Sequence, residues 1–380
     1  MRGTMSWGMV GGGEASQIGF SHRSGATIDG KFSLDAGALD IDSARGKDFA
    51  RRLGIAADRA YSDWREMVAG EVGRDDKIKL VTVATPNSTH FEISKAFLEA
   101  GIDVFCEKPM TMTVEEGREL VAIAERLRRV CAVNFGYSGY PMLRHMRAMV
   151  ERSDLGEIRV VKTEFAGGFY GDAAHADDPR VGWRFDPALS GVSAVTADLG
   201  SHAMHLACYV TGQRVSSVSA DFVRGIPTRK LEDDALLAFR MSGGTVGRAW
   251  CSGLAIGRTH GFEISAYGEK GGIRWQQECP NQLAWTPLNE PTRILERSAS
   301  YMSPAANRAS RITIGHPEGF VFAIGNLYRD LADIIESNER GSDPDPLALT
   351  VPSAELGLHI VQIVHAAAES ASENGRWINI

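Results

Sequence analysis

The sequence predicts an α/β protein with two domains: a doubly wound parallel sheet over residues 1–134, then an α/β domain over residues 135–380. Three observations predict this fold class. The chain has 380 residues, which corresponds to about two domains. Its first third alternates short apolar strands with helical segments, the pattern of βαβ units. Residues 215–276 carry short strands separated by turns without helices, which predicts a large open, mostly antiparallel sheet.

In the first domain, short apolar runs predict the strands and polar amphipathic stretches predict the helices between them. Residues 78–84 are the most strand-like segment, because they are mostly apolar and rich in β-branched side chains. Gly101 ends the helix that precedes the fourth strand. The predicted strands are 6–10, 32–39, 78–84, 102–106 and 130–134, and the predicted helices are a segment reaching about residue 29, 43–53, 90–100 and 114–129.

In the second domain, the pattern changes after about residue 135. A helix, an extended segment, a glycine-rich loop and a second helix are predicted at 142–151, 156–164, 166–172 and 195–210. The antiparallel strands are predicted at 215–222, 235–241, 245–251, 262–267 and 272–276, followed by an irregular surface segment at 281–311. Helices at 318–337 and 354–370 and an edge strand at 376–380 complete the prediction, and we expect the C-terminal helix to pack back on the first domain.

Composition excludes several classes of protein. With 41 basic and 48 acidic residues the formal net charge is -7, which argues against a nucleic-acid partner. No apolar run approaches the roughly 18–20 residues of a membrane helix. The five cysteines are widely spaced without a C-x-x-C pair, so we expect reduced thiols. Residues 1–5 lack the features of a secretory signal, and the expected location is the cytoplasm.

A glycine-rich turn between the first strand and the first helix predicts a dinucleotide site of the Rossmann type. Gly11 permits the tight turn, and Gly13 permits the backbone to approach a pyrophosphate at a helix N-terminus. The match to G-x-G-x-x-(G/A) is loose, because Ser16 stands in the third small position after Glu14 and Ala15. The alternative is an ordinary turn, since glycine triplets are common in turns.

Asp40 follows the second strand, where a carboxylate can accept from both ribose hydroxyls. This position favours NAD over NADP, because a 2′-phosphate would meet the carboxylate and Ile41 offers no cation. The interval from Gly13 is longer than the roughly 20 residues expected. The alternative role is a helix N-cap, which Asp42 fills equally well.

Two motifs follow neighbouring predicted strands: T-P-N-x-x-H at residues 85–90 and E-K-P at residues 107–109. Through this pair the chain resembles the Gfo/Idh/MocA oxidoreductases, which act mainly on sugars and cyclitols with NAD(P). The resemblance implies that Lys108 is the catalytic lysine, beside the nicotinamide, and that the Lys108–Pro109 peptide is often cis. It implies a cofactor site lined by Thr85, Pro86, Asn87, His90, Glu107, Lys108 and Asn134.

Asp198, His202 and His205 are spaced to share one face of a predicted helix. Asp198 and His202 match a D-x-x-x-H motif of the same family, which implies a general base at His202 and a substrate contact at Asp198. A histidine suits reversible proton transfer near neutrality. His205 departs from the family pattern, and we expect a packed or indirect role. A divalent metal on this face is the alternative, but no metal is expected because nothing completes the ligand set.

Four further residues are candidates for recognising the substrate. Tyr137 can stack on a sugar ring or pack between domains. Trp183 and Arg184 resemble the segment that anchors substrate or cofactor in relatives, and both are also open to a structural role. His316 stands at a loop-to-helix entry, where helix capping is the alternative for the segment.

These observations predict an NAD-dependent dehydrogenase that oxidises a secondary ring hydroxyl of a sugar, glycoside or inositol, with Lys108 and His202 handling the proton. The first alternative is a glycosidase that retains NAD and oxidises the ring transiently. The second is a protein that senses a dinucleotide without catalysis. We expect a dimer or tetramer formed through the open sheet, since a broad exposed sheet face is usually covered.

Overall fold

The computed structural model describes residues 4–172 and 179–380. The prediction of a cytoplasmic location used residues 1–5, of which residues 1–3 lie outside the described ranges. The chain forms two compact units, Met1–Gly139 with Phe320–Leu358 and Tyr140–Gly319 with His359–Ile380. The first unit therefore includes 320–358, a segment that the sequence prediction assigned to the second domain. The C-terminal helix is divided, because residues 354–358 belong to the first unit and the rest to the second. The roles assigned to the two domains stay predictions.

The first unit is built on five parallel strands in the order β2-β1-β3-β4-β5, which confirms the predicted doubly wound sheet. Each strand is largely buried, as expected when helices cover both faces of a parallel sheet. The strands are β1 Met5–Gly11, β2 Phe32–Ala38, β3 Leu80–Ala84, β4 Asp103–Cys106 and β5 Cys131–Val133. The helices before β5 are α1 Gln17–Thr27, α2 Ser43–Arg52, α3 Trp64–Val72, α4 His90–Glu99 and α5 Val114–Leu127.

Helix α3 was absent from the sequence prediction. It begins at the N-cap Asp63, whose carboxylate accepts from two backbone N–H groups. Its buried residues are Met67 and Glu71, so a charged side chain occupies a core position and the apolar period is broken. The Glu71 carboxylate is satisfied there by Arg59, at 2.6 and 3.0 Å, and by the Tyr61 hydroxyl at 2.9 Å.

We expect Glu71→Ala to lower the free energy of unfolding by about 3–5 kcal/mol, because it removes the buried carboxylate that pairs with the buried Arg59 guanidinium. Urea denaturation of the two proteins measures the difference. Asp76→Ala is the matched control, since Asp76 also pairs with Arg59 but is exposed. A Glu71 variant no less stable than the Asp76 variant would refute this account of the ion pair.

A long helix, α11 Phe320–Arg340, completes the core of the first unit. Its Tyr328 ring packs edge-on against Trp7 and Phe105, with centroids 5.6 and 5.1 Å away. Phe32 contacts the same ring at 5.7 Å. The aromatic side chains of three strands therefore meet on one helix, which places the Tyr328 hydroxyl inside the core.

The second unit is built on nine strands in the order β13-β12-β11-β10-β6-β9-β8-β7-β14, and the predicted mostly antiparallel sheet is confirmed. All neighbours pair antiparallel except β6 and β9. The strands are β6 Ile158–Ala166, β7 Val215–Val223, β8 Asp234–Met241, β9 Val246–Ser252, β10 Phe262–Gly268, β11 Gly271–Gln276, β12 Gln282–Pro287, β13 Arg293–Glu296 and β14 Ile378–Asn379. The helices are α6 Pro141–Glu151, α7 Pro179–Gly182, α8 Pro187–Ser190, α9 Ser201–Thr211, α10 Pro304–Ala309 and, shared with the first unit, α12 Ala354–Ser372.

Two segments of the second unit differ from the prediction. The stretch 281–311, predicted to be irregular, contains β12, β13 and α10, whose largely exposed faces weaken the apolar alternation. The helix predicted at 195–210 begins with a π-helical turn, Thr196–Gly200, before α9. A single wide turn does not change the hydrophobic pattern enough to be recognised in a sequence.

The outer face of the large sheet exposes apolar side chains. Leu236 is 55% exposed and Tyr267 is 47% exposed. The expected dimer or tetramer through this sheet stays a prediction. Across 4–172 and 179–380, every helix is too short or too polar to cross a lipid bilayer.

Candidate functional site

The carboxyl edge of the parallel sheet gathers the cofactor residues predicted in the first unit. β1 ends at the glycine turn, β2 leads to Asp40, β3 leads to Thr85, and β4 leads to Glu107 and Lys108. Because the strands are parallel and adjacent, these positions share one edge of the sheet. Open α/β sheets bind ligands at this edge.

The glycine turn after β1 is tight and packs closely against the end of β3. Gly11 has a φ of 76°, and a Cβ there would lie 2.4 Å from the Ala84 carbonyl oxygen. Ser16 caps α1 by accepting the Gly19 N–H at 3.0 Å. The turn therefore leads directly into the N-terminus of an 11-residue helix, a position that stabilises an anion.

The close contact between turn and helix occurs at Gly19, three residues beyond the position expected from the motif. A Cβ on Gly19 would lie 2.3 Å from the Gly12 carbonyl oxygen. Ser16 is therefore a capping residue, and Gly19 is the residue that lets the helix pack closely against the turn. Glu14 and Ala15 are exposed, and the Glu14 carboxylate is paired with Arg52.

Asp40 lies beside the glycine turn, since a Cβ on Gly13 would be 3.4 Å from its Oδ2. Its carboxylate accepts from the Asp42 N–H at 2.8 Å and from Arg45 at 2.9 Å, and the Arg45 hydrogen bond lowers the pKa of Asp40. Asp42 is the N-cap of α2, which assigns the alternative role of Asp40 to its neighbour. Sequence reasoning looked for a cation at Ile41, whereas the structure places one at Arg45, on the first turn of α2.

His90 joins the loops that follow β3 and β4. Its ring is fully buried, with Nδ1 2.8 Å from the Pro109 carbonyl oxygen and Nε2 2.9 Å from that of Thr85. Burial lowers the pKa of His90, and hydrogen bonds to the two carbonyl groups oppose this shift. The ring thus fixes the two motif loops to each other, while Pro86 is exposed and Asn87 is half-buried on the first loop.

Glu107 is buried at the end of β4, and Lys108 is half-buried beside it. The Glu107 carboxylate contacts His22 Nε2 at 2.9 Å, Asn134 Nδ2 at 2.5 Å and the Lys108 N–H at 3.2 Å. Burial raises the pKa of Glu107, but the hydrogen bonds from His22 and Asn134 bring it below its usual value. The Lys108–Pro109 peptide is cis, as the resemblance implied. His22 was missed by sequence reasoning.

In the second unit, Asp198 lies on the π-helical turn and accepts two hydrogen bonds on Oδ2. Tyr170 Oη donates at 2.8 Å and Arg184 Nε at 3.2 Å. Burial and the neighbouring Asp198 carboxylate raise the pKa of Tyr170 well above its usual value. Tyr170 was missed as a site residue, and its only signal was its place in the predicted glycine-rich loop at 166–172.

The turn that carries Asp198 is anchored by Glu232, another residue that the sequence did not reveal. The buried Glu232 carboxylate accepts from the Ser193 hydroxyl at 2.5 Å and from the Thr196 N–H at 3.0 Å. Burial raises the pKa of Glu232, although these hydrogen bonds oppose the shift. π-helical turns recur at functional sites.

His202 and His205 lie on α9, after the turn. The predicted common face assumed a regular helix, and the π-helical turn interrupts that register between Asp198 and His202. His202 is 8% exposed, with its ring 6.0 Å from that of Phe165. His205 is stacked on Tyr209 at 5.8 Å, and burial lowers its pKa to about 3, which supports the packed interpretation.

The remaining predicted residues are divided between the units. In the second unit, the Arg184 guanidinium lies over the Trp183 ring at 4.5 Å and donates to Asp198. Trp183 therefore lies near Asp198 through Arg184. His316 is exposed on a loop whose carbonyl groups are held by the buried Arg297. In the first unit, Tyr137 is buried against Phe320 at 5.2 Å. Within the described part of the chain, no three His, Cys, Asp or Glu side chains cluster as a metal site.

Comparison with known families and proteins identifies relatives of the whole chain. Residues 5–135 match the GFO/IDH/MocA oxidoreductase family with an NAD-binding Rossmann fold, and residues 143–274 match the GFO/IDH/MocA C-terminal domain. These matches confirm the resemblance drawn from residues 85–90 and 107–109. The chain is also 36% identical to the uncharacterized oxidoreductase YfiI of Bacillus subtilis, covering 98% of this chain and 96% of the relative.

Two further relatives have dehydrogenase names. An inositol dehydrogenase homolog from Azotobacter vinelandii, solved with NAD+, has a TM-score of 0.95 and 39% identity, covering 100% of this chain and 98% of that one. The same homolog was solved with NADH and myo-inositol, at a TM-score of 0.93. Levoglucosan dehydrogenase of Pseudarthrobacter phenanthrenivorans is 25% identical, covering 87% of this chain and 85% of the relative.

Proposed function

Because the chain belongs to the GFO/IDH/MocA family of oxidoreductases, we propose that it is an NAD-dependent dehydrogenase that oxidises a secondary ring hydroxyl of a cyclitol, sugar or glycoside. The observation that carries the proposal is the carboxyl edge of the parallel sheet. There the glycine turn, Asp40 and Lys108 end adjacent or near-adjacent strands of one sheet. These are the residue types that binding a dinucleotide and activating a hydroxyl require.

The residues of the first unit fit a dinucleotide cofactor. The N-terminus of α1 would hold the pyrophosphate, because a turn that excludes a Cβ at Gly11 leads directly into this helix and helix N-termini bind anions. Asp40 would accept from the ribose hydroxyls, since Arg45 and the Asp42 N–H hold its carboxylate ionised beside the turn. When bound, NAD supplies the hydride acceptor.

Lys108 is the residue that would act on the hydroxyl from the first unit. An ammonium beside a carbinol oxygen stabilises the alkoxide that develops as the carbon loses hydride. The backbone at Lys108 is fixed by Glu107, which accepts its N–H, and by Pro109, whose carbonyl contacts His90. The lysine therefore extends from an ordered backbone, as positioning within a reaction requires.

His202 would take the hydroxyl proton as the general base. An imidazole is the side chain whose ordinary pKa suits proton transfer in both directions near neutrality. Asp198 would accept from a further substrate hydroxyl, with the Tyr170 hydroxyl and Arg184 keeping its carboxylate in one orientation. These roles, and those of Tyr137, Trp183 and His316 in recognition, are part of the proposal.

The named relatives support the proposed substrate class. The Azotobacter vinelandii homolog was solved with myo-inositol, and the Pseudarthrobacter relative is named for levoglucosan. Both compounds are cyclic and carry several secondary hydroxyls, so a ring hydroxyl is the shared chemical target. We extend this class to the present chain. The oligomer through the large sheet and the cytoplasmic location stay predictions.

The test is formation of NADH by the purified protein with NAD and a panel of inositols, free aldoses and glycosides. We expect NADH to appear with one class of ring polyol and to be unaffected by EDTA. Each glycoside reaction is also assayed for free aglycone, because aglycone without net NADH would establish the oxidoreductive glycosidase instead. Absence of both products across the panel, with NAD bound, would favour the sensing protein.

Asp40→Ala should raise the dissociation constant for NAD by roughly ten- to a hundredfold, the range expected for loss of hydrogen bonds to a charged group. Binding of NADP should be unchanged or stronger, since Arg45 loses the nearer of its two carboxylate partners, keeps Asp42 at 3.5 Å and can face a 2′-phosphate. Titration of protein fluorescence with each dinucleotide measures both constants. Asp48→Ala removes another acid paired with arginine on the same helix and serves as the control. Wild-type preference for NADP would refute the role of Asp40.

A further inference from the structure

A continuous series of buried side chains connects β1 to the Glu107 carboxylate within the first unit. Trp7 Nε1 lies 2.9 Å from Thr82 Oγ1, which lies 2.7 Å from Tyr328 Oη. Tyr328 Oη lies 2.8 Å from His22 Nδ1, and His22 Nε2 lies 2.9 Å from Glu107 Oε1. All five side chains are buried, and hydrogen bonds in such an interior polarise one another.

The two ends of this series determine the direction of every hydrogen bond in it. An indole only donates, so Thr82 Oγ1 accepts from Trp7. A carboxylate only accepts, so His22 donates from Nε2 to Glu107. The Nδ1 lone pair of a neutral His22 then accepts the Tyr328 O–H, and Tyr328 Oη accepts the Thr82 O–H. The partners therefore assign the Nε2–H tautomer to His22.

The opposite direction leaves one group without a partner. An imidazolium at His22 would donate to Tyr328, and Tyr328 would donate to Thr82. The Thr82 hydroxyl would then need another acceptor, and among the described residues only Trp7 and Tyr328 hydrogen-bond Thr82 Oγ1. A buried hydroxyl without an acceptor is costly, which favours the neutral histidine.

We infer that Trp7, Thr82, Tyr328 and His22 form a positioning chain that holds Glu107 as a carboxylate in one orientation and thereby fixes the backbone of Lys108. The inference rests on the proposed function for the reaction that Lys108 serves. Glu107 links the two, because Oε1 takes the His22 hydrogen bond and Oε2 accepts the Lys108 N–H. Sequence analysis proposed none of the four residues of this positioning chain as a site residue.

The charged and titratable groups around Glu107 agree with this direction. They come from α1, α11 and the loops at the sheet edge: His22, Tyr328, Cys106, His90 and Lys108. Burial raises the pKa of Tyr328 well above its usual value, so its hydroxyl keeps its proton and remains a donor near neutral pH. Tyr328 therefore positions its neighbours and does not transfer a proton.

The test is Tyr328→Phe, which removes the hydroxyl and keeps the ring packed in the core. We expect kcat to fall roughly tenfold or more, with KM for the polyol changed less than about twofold, because the lysine is displaced and binding contacts remain. We also expect the apparent pKa in the pH profile of kcat/KM to move, because a displaced Lys108 ammonium changes the charge felt by the groups that titrate during the reaction.

Phe32→Leu is the matched control, because Phe32 packs on the same Tyr328 ring and its side chain takes no part in the hydrogen bonds of the positioning chain. It should lower Tm and leave the pH profile in place. If Tyr328→Phe also lowers Tm and leaves kcat and the pH profile unchanged, the residue is merely structural and the inference fails. Thr82→Val is the second variant, in case Tyr328→Phe does not fold; the inference predicts the same movement of the profile, to a smaller extent.

The tautomer of His22 is measured without any activity assay. In protein with isotopically labelled histidine, nuclear magnetic resonance distinguishes a proton on Nε2 from one on Nδ1, and His22→Gln identifies the signal. We expect neutral His22 with its proton on Nε2, and an altered signal in Tyr328→Phe. A proton on Nδ1, or an imidazolium at neutral pH, overturns the inference. A protein that oxidises no polyol would contradict the proposed function. The His22 signal would still show whether the hydrogen bonds of the positioning chain run in the inferred direction.

Discussion

Lys108→Ala should lower kcat for oxidation of the polyol by roughly a hundred- to a thousandfold, the effect of removing one stabilising group from a developing oxyanion. NAD should still bind, because the glycine turn and Asp40 are remote from the substituted side chain along the sheet edge. Steady-state kinetics with the best substrate of the panel measures kcat, and fluorescence titration measures the dissociation constant for NAD.

The control for this experiment is Lys95→Ala, a half-buried lysine of α4 that pairs with the exposed Glu119 at the surface. It removes the same charge from the same unit and should leave kcat within about twofold of the wild type, because exposed ion pairs contribute little. Near-normal turnover by Lys108→Ala, in protein that folds and binds NAD, would exclude the catalytic role. An equal loss in the Lys95 variant would point to a general effect of charge.

His202→Asn should lower kcat by roughly a hundred- to ten-thousandfold, the range for loss of a general base. The pH profile gives the sharper test. A histidine base is active in its neutral form, so kcat/KM of the wild type should fall as the pH decreases through the pKa of that histidine. The variant should lose this limb of the profile, and added imidazole should restore part of its activity.

His205→Phe separates the two histidines of α9. His205 is buried and stacked on Tyr209, and a phenyl ring preserves that contact. We expect this variant to keep the acidic limb of the pH profile even where its Tm falls. An acidic limb that persists in His202→Asn and disappears in His205→Phe would transfer the role of the base to His205.

Much of the first unit could be predicted from the sequence because its information is local. Each of its five strands is a short apolar run, and a parallel sheet places the residues after those runs at one edge. This is how Asp40, Thr85 and Lys108 could be identified before the structure. Helix α3 was not predicted because Glu71 interrupts its apolar face. The ion pair with Arg59 that allows Glu71 to be buried is a tertiary contact, which the local sequence pattern does not show.

The residues that sequence reasoning missed are those whose partners are distant in the chain. Tyr328 lies 306 residues from His22, and His22 lies 85 residues from Glu107. Only the packing of α11 on the parallel sheet brings them together, and no local pattern records it. Tyr170 was missed for a related reason, because a tyrosine in a glycine-rich loop has no signal until the Asp198 carboxylate is placed against it.

The central claim is that hydride leaves a ring carbon of a cyclic polyol for NAD. The most direct measurement uses the substrate identified by the panel, with deuterium on its ring carbons, and determines the mass of the NADH formed. We predict NADH that carries one deuterium from the ring, and a slower turnover where hydride transfer limits the rate. NADH without deuterium, or a product released while the ring keeps all of its label, would contradict the claim.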